Sequence, residues 1–467
     1  MSSDEMDLYD SDIGEEAEGV EKIEFLNRED VELEMKKLIS EVESIVEVNA
    51  GMCRNLLHKF KWNKDALLNK MYESVDIQQF LIDSQVMAKC DDKVEEAREG
   101  ECDICCSIGV LTGLDCNHLA CNDCWNMYLK EKIVDNGICE IECMEPDCNL
   151  LMEESKIGNY TTNPFILAKY RFQSINGYVD ASSRLKWCPG IDCGRIVKIP
   201  DGQIRLVVCK CETRFCFNCC EDFHDPIDCR LMKKWLKKCS DDSETSNWMN
   251  ANTKDCPKCL VPIEKNGGCN HMRCTNIKCK LEFCWMCMKP YKDHQVSGYT
   301  CNRFDESKEK NRSETRALLE RWLFYHNRYM NHLQSLKLEE KLKEKVSAKE
   351  EELQKNSGMT WVEVQFLSQS VSALSECRRT LMYTYAFAFY LKKNNNSEIF
   401  ESNQRDLEMA TENISGYLER ELETKDLGTV RQKVQDLSRY VGQRRKALLD
   451  HCEEGVENGF WDFLDSK

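Results

Sequence analysis

The stretch from Lys265 to Cys274 reads KNGGCNHMRC: two glycines, a cysteine, a histidine two residues on, and a second cysteine. A cysteine thiolate can attack a carbonyl carbon, and an imidazole can take a proton from an incoming amine. Gly267 and Gly268 put no side chain beside the Cys269 sulfur, so a bulky electrophile could approach it. The reading therefore turns on whether Cys269 is free, or is spoken for as a metal ligand.

The chain has 467 residues and 30 cysteines, of which 26 lie between Cys102 and Cys301. Its start, MSSDEMDLYD, is acidic and lacks the apolar core of a secretory signal, so a cytosolic setting and zinc are expected before disulfides. Tetrahedral zinc takes four sulfur or imidazole ligands. Cys102, Cys105, Cys116, His118, Cys121, Cys124, Cys143 and Cys148 form four pairs, enough for two ions. The tight Cys116–His118 pair lies between two Cys-x2-Cys pairs, the order of a RING cross-brace, in which pairs one and three share one zinc and pairs two and four the other. Cys188, Cys193, Cys209, Cys211, Cys216, Cys219, His224 and Cys229 make a second set of eight, spaced as sequential sites. Cys256, Cys259, Cys274, Cys279, Cys284, Cys287, His294 and Cys301 make a third. These 24 ligands account for six zinc ions. Cys106, Cys139, Cys220 and Cys239 are spare, and Cys269 is surplus within the third set.

The order of these sets resembles the RING-between-RING ubiquitin ligases. The stretches FCFNC, HDP, KKCSDDSETSNW, CPKC, GGCNHM, FCWMC and LMYTYAFAFYLKKNN resemble the Ariadne family in particular, from about residue 35 to the C-terminus. The resemblance implies a two-step ligase. A conjugating enzyme charged with ubiquitin docks on the first RING, ubiquitin passes to Cys269, and from there to a substrate lysine. His271 is then the general base for the lysine amine, and Glu282 is similar in position to the family's acidic partner of that histidine. Ile104, between the first two ligands, stands where such RINGs meet the conjugating enzyme with an apolar side chain; Trp125 reads as core. The resemblance also implies that a C-terminal helical domain folds over the second RING and masks the nucleophile. Glu339, Glu401 and Glu412 match acidic positions at that contact, and Leu338 stands where the family can have phenylalanine. An N-terminal ubiquitin-associated-like region is implied to engage cullin-RING ligases carrying a ubiquitin-like modifier, which relieves the mask. A non-catalytic zinc scaffold that only recruits a conjugating enzyme is the alternative. Nucleic acid is disfavoured by the net charge of -18. The expected location is cytoplasmic, or nuclear as well.

The elements that must position these residues follow. The expected fold is multidomain: small zinc-stabilised α+β modules flanked by an N-terminal small helical domain and a C-terminal all-α domain. Residues 1–34, with 14 Asp and Glu, are expected as a disordered tail. Residues 35–95 show helical periodicity in three runs, with Asn49, Ala50 and Gly51 as a turn between the first two. Both a structural bundle and a partner-binding helical trio fit that pattern. The first RING spans 98–155, a helical linker 156–180, the in-between module 181–232, a linker helix 233–252 and the second RING 253–304. All eight prolines fall at or before Pro290, so 305–467 is expected to be helical, with apolar stripes beginning at Leu318 and Trp361. The longest apolar run, Leu381 to Leu391, is too short to span a bilayer.

Overall fold

The computed structural model describes residues 23–89, 97–200, 204–241, 253–295, 301–305, 314–357, 360–420 and 427–464. The chain divides into two compact units, Met1–Phe223 and His224–Lys467. Expectations that fall on residues 1–22, and on 242–252 of the linker, lie outside the described residues.

The first unit opens with strand β1 (Glu24–Leu26) and helix α1 (Arg28–Val46). This corrects the expectation of disorder up to residue 34. The Asn27 side chain accepts from Asp30 N–H while the Asp30 carboxylate accepts from Asn27 N–H, a reciprocal cap that starts the helix inside the acidic stretch. Val31 and Met35 then bury. Helices α2 (Ala50–Lys59), α3 (Lys64–Tyr72) and α4 (Ile77–Asp83) follow, one more than the three apolar runs suggested. The expected turn at Asn49–Gly51 is also corrected: Asn49 caps α2 by accepting from Met52 N–H, and Ala50 and Gly51 are already helical.

These helices are not a free-standing bundle. Leu56, Leu57 and Leu67 share one core with Leu151, Ile175, Val179 and Ile196 from further along the chain. Strands β2 (Ala97–Glu101), β3 (Ile108–Gly113) and β4 (Leu119–Cys121) form an antiparallel sheet, followed by α5 (Asn122–Leu129). Helices α6 (Glu154–Tyr160) and α7 (Pro164–Ala181) lead to β5 (Leu185–Trp187) and β6 (Ile196–Lys198). Strand β6 sits between β1 and β5, so the N-terminal segment completes the in-between sheet. A hairpin of β7 (Leu206–Val208) and β8 (Arg214–Cys216) closes the unit.

The second unit begins with α8 (Cys229–Asp241), which buries Leu231, Met232 and Trp235 and leaves Lys233, Lys234 and Lys237 in solvent. Two small hairpins follow, β9 (Thr253–Asp255) with β10 (Pro262–Glu264), and β11 (His271–Arg273) with β12 (Glu282–Cys284). The rest is helical: α9 (Glu314–Ser357), a short α10 (Trp361–Val364), α11 (Phe366–Tyr390), α12 (Asn395–Arg420) and α13 (Leu427–Glu457). The apolar run in α11 is buried on all sides, with Tyr383, Tyr385, Phe387 and Tyr390 inside one core shared with α9, α12 and α13. A helix that is apolar all round belongs inside a bundle. The stripes begin later than the periodicity suggested. Leu318, Leu319, Trp361 and Val362 are exposed, while Trp322, Tyr325, Val364 and Phe366 are buried.

Candidate functional site

The cysteines gather as cross-braced and sequential sets. Cys102, Cys105, Cys121 and Cys124 come together, as do Cys116, His118, Cys143 and Cys148, with their ligand atoms within 4.8 Å of one another. Cys188, Cys193, Cys209 and Cys211 form another set, and Cys256, Cys259, Cys274 and Cys279 a further one. Tetrahedral zinc with Zn–S bonds of about 2.3 Å places its sulfurs roughly 3.8 Å apart. Here Cys102 and Cys124 are 3.9 Å apart, Cys188 and Cys211 3.6 Å, and Cys256 and Cys279 3.8 Å. Donor type and spacing therefore fit zinc, which in such sites holds short hairpins together. Cys216 and Cys219 lie at the end of the first unit and His224 and Cys229 at the start of the second. Cys287 Sγ and His294 Nε2 are 3.4 Å apart, and Cys284 interacts with both Cys287 and Cys301.

Cys269 belongs to none of the sets named above. It sits on the loop between β10 and β11 and is 3 % exposed. His271 starts β11 and Arg273 pairs with Glu282 across the hairpin, which sets the His271 and Glu282 side chains on a diagonal of one face. His271 Nε2 and Glu282 Oε2 are 3.1 Å apart. The His271 ring stacks on Tyr291, centroids 3.6 Å apart and nearly parallel. His271 N–H points to Cys269 Sγ at 3.4 Å. Cys269 thus accepts from the main chain of the residue whose imidazole is held by a ring and an acid.

Three helices cover this loop. From α9, Ser335 Oγ donates to Gly268 O at 2.9 Å, and Lys265 Nζ donates to Asn331 Oδ1, Ser335 Oγ and Asn270 Oδ1 at 3.0, 2.8 and 3.1 Å. Those acceptors use the three protons of a buried ammonium. Burial, with Arg378 nearby, still pulls the Lys265 pKa down to about 8. From α11, the buried Arg378 donates through Nε to Glu339, through Nη1 to Glu412 Oε1 at 3.0 Å and through Nη2 to Ser415 Oγ at 2.7 Å. From α12, the Glu412 carboxylate accepts from Asn270 N–H, and from Asn270 Nδ2 at 3.0 Å, while Glu419 Oε1 accepts from Cys269 N–H at 3.1 Å. A Cβ at Gly416 would stand 3.7 Å from Cys269 Sγ, so this turn of α12 lies against the sulfur with room for a methyl group and little more.

The electrostatics follow the burial. Burial pushes the Cys269 thiol well above the ordinary range, and the Glu412 and Glu419 carboxylates push it further. Burial alone would raise Glu412 too, but Arg378 and the Asn270 N–H outweigh it and hold the carboxyl below its usual range. Glu339 is raised, because burial outweighs its bond to Arg378.

Among the residues named from the sequence, the structure brings Cys269, His271, Glu282, Glu339 and Glu412 to one place. Leu338 is half-buried one residue before Glu339. Glu401 lies apart from the Cys269 loop but also meets the second-RING segment: its carboxylate lies 3.2 Å from Arg303 Nε and its main-chain oxygen accepts from Asn302. It sits eleven residues, about three turns, before Glu412 on α12, near the start of that helix. Arg378, Glu419 and Lys265 were missed. In the first unit, Ile104 is 60 % exposed at a groove also lined by Arg98, Asp103, Met144 and Pro146. Trp125 is buried, stacks on Tyr160 and donates Nε1–H to Thr112 O at 2.9 Å.

Comparison with known proteins agrees with this layout. The profile of the Ariadne domain matches residues 320–459. Two IBR profiles, one described as a half RING-finger domain, match 168–229 and 251–302. A UBA-like domain profile, described for E3 ubiquitin-protein ligase ARIH1, matches 33–73. The chain is 56 % identical to E3 ubiquitin-protein ligase ari-1.1 of Caenorhabditis elegans over 94 % of this chain and 90 % of that protein. It is 44 % identical to human E3 ubiquitin-protein ligase ARIH1, over 95 % of this chain and 82 % of that protein. It is 43 % identical to Drosophila melanogaster E3 ubiquitin-protein ligase ariadne-1, over 94 % and 90 %. With identities of 43–56 % over more than nine-tenths of its length, the chain belongs to the Ariadne family of RING-between-RING E3 ubiquitin ligases.

Proposed function

We propose that this ligase takes ubiquitin from a conjugating enzyme onto Cys269 as a thioester and passes it to a substrate lysine. The observation that carries this reading is Cys269 itself, a cysteine outside the third module's named metal set with His271 and Glu282 beside it. The conjugating enzyme docks at the groove around Ile104. Six zinc ions hold the three cysteine-rich modules. In the attack on Cys269-bound ubiquitin, the lysine amine gives its proton to His271, whose ring Glu282 and Tyr291 orient. The resting protein is autoinhibited, because α12 covers the sulfur and Arg378, Glu339 and Glu412 lock the covering helices to the loop. Modified cullin-RING ligases, bound through the N-terminal helical region, release that lock. The ligase works in the cytoplasm, and in the nucleus as well.

The test uses the full chain with Glu412→Ala to open the loop. With zinc and a ubiquitin-charged conjugating enzyme, a ubiquitin adduct that thiol reductant removes is expected. Cys269→Ser should turn it into a reductant-resistant oxyester. Ligation that persists without any adduct at position 269 would make the protein a recruiting scaffold.

A further inference from the structure

The two α12 carboxylates at the loop do not touch the Cys269 sulfur. They occupy main-chain donors beside it. Glu419 Oε1 accepts from Cys269 N–H at 3.1 Å, and Glu412 Oε2 accepts from Asn270 N–H. Glu412 Oε1 also accepts from Asn270 Nδ2 at 3.0 Å, and Glu412 O lies 3.9 Å from Sγ. Positions 412, 416 and 419 fall on one helix face, a carboxylate, a glycine and a carboxylate. A negative oxygen therefore rests on each of two consecutive N–H groups, with the nucleophile between them and the Gly416 backbone.

Acyl transfer needs such donors. The Cys269 thiolate attacks the thioester carbonyl carbon, an S–C bond forms, and the carbonyl π pair moves onto oxygen. The tetrahedral oxyanion collapses, the C=O re-forms, and the conjugating enzyme's thiolate leaves. In the second step the lysine nitrogen attacks, its proton passes to His271, and Cys269 leaves as thiolate. Both steps pass through an oxyanion, which preorganised N–H groups stabilise best. The N–H of the nucleophile itself and a neighbouring amide are a recurring source.

We propose that the Cys269 and Asn270 main-chain N–H groups form the oxyanion hole of ubiquitin transfer, and that α12 inhibits by seating the Glu419 and Glu412 carboxylates in it as imitations of the transition-state charge. This rests on the reading of Cys269 as the thioester residue. On that basis α12 does more than cover the sulfur: it fills the site that would stabilise the reacting oxygen.

The experiment uses the full chain carrying Glu412→Ala. Asn270 is replaced by its α-hydroxy analogue, so the amide joining Cys269 to residue 270 becomes an ester without N–H. Two rates are measured: loading from a ubiquitin-charged conjugating enzyme, and alkylation of Cys269 by iodoacetamide. Alkylation displaces iodide at a saturated carbon and forms no oxyanion. Loading should fall by about 100-fold, the usual loss for one such donor, while alkylation holds its rate. Equal falls in both rates, or loading that does not change, would overturn the assignment. If the parent Glu412→Ala chain forms no reductant-sensitive adduct at Cys269, the thioester reading itself fails, which is a different result. Should the ester chain not fold, a crystal structure of the parent with ubiquitin C-terminal aldehyde decides. A hemithioacetal oxygen within about 3.1 Å of both nitrogens supports the hole, and one directed away from both sinks it.

Discussion

Glu412 serves Asn270 N–H, Asn270 Nδ2 and Arg378 at once, so its loss leaves two donors unpaired and takes from the buried guanidinium one of its two carboxylates, with Glu339 remaining. Breaking one partner of a buried pair costs roughly 3–5 kcal/mol. Glu412→Ala should raise the rate of Cys269 alkylation by at least about tenfold, the factor that a mere 1.4 kcal/mol would give. Glu401→Ala should leave that rate unchanged, because Glu401 faces Arg303 and not the loop. The pH dependence of stability has a sign as well. The buried Cys269 thiol holds its proton more tightly than the unfolded chain does. Its contribution is therefore present below the unfolded value of about 8.5 and is lost as pH rises beyond it. The difference in melting temperature, Cys269→Ser minus parent, should rise from pH 8 to pH 10; a flat difference would show that the thiol is not buried in solution. Zinc arithmetic left Cys269 over together with Cys106, Cys139, Cys220 and Cys239, and the resemblance of GGCNHM to the Ariadne family singled it out. Nothing singled out Arg378: a charge in an apolar helix gives no sign of which carboxylates it meets, and its partners Glu339 and Glu412 are 39 and 34 residues away.

Helix α12 works through its spacing. Glu412, Gly416 and Glu419 lie at i, i+4 and i+7, but that pattern is common on solvated helices and says nothing of a facing loop some 150 residues earlier. The structure supplies the meaning, since a Cβ at 416 would lie 3.7 Å from the sulfur. A methyl group fits there. Gly416→Ala should keep the protein closed and raise stability by about 0.5–1 kcal/mol, the helix-interior gain over glycine. Gly416→Leu should push α12 off and expose Cys269, read as faster alkylation. A closed Gly416→Leu chain would mean that α12 does not pack on the sulfur. The start of α1 was hidden for a related reason: acidic composition argues for disorder, whereas one Asn27–Asp30 cap and the pairing of β1 with β6 decide locally for order.

At the scale of the whole molecule, two kinds of stability coexist. The cysteine-rich modules have strands of three to six residues and small cores, and zinc held by their cysteine sets would supply folding energy on the order of 10 kcal/mol per site. The helical part of the second unit has a large apolar core of its own. A chelator should abolish the modules' tertiary signals while most far-UV helical signal persists, and zinc should restore the modules. Simultaneous loss of helix would show that the bundle depends on metal. This division was legible early, because metal spacing and the proline-free tail are written locally. The covering of one part by the other was legible only through the family resemblance, which pointed to Glu339 and Glu412, since it is made by buried polar groups that no periodicity marks. The contact also has a consequence in time. A side chain's first carbon at 416 would already touch the sulfur of Cys269, a residue 3 % exposed, so an acyl group on it and a seated α12 exclude each other. On the proposed reading of Cys269 as the thioester residue, a loaded ligase cannot re-close until it discharges. Activation would then outlast the event that caused it, and every turnover would end in a race between the returning helix and the next charged donor.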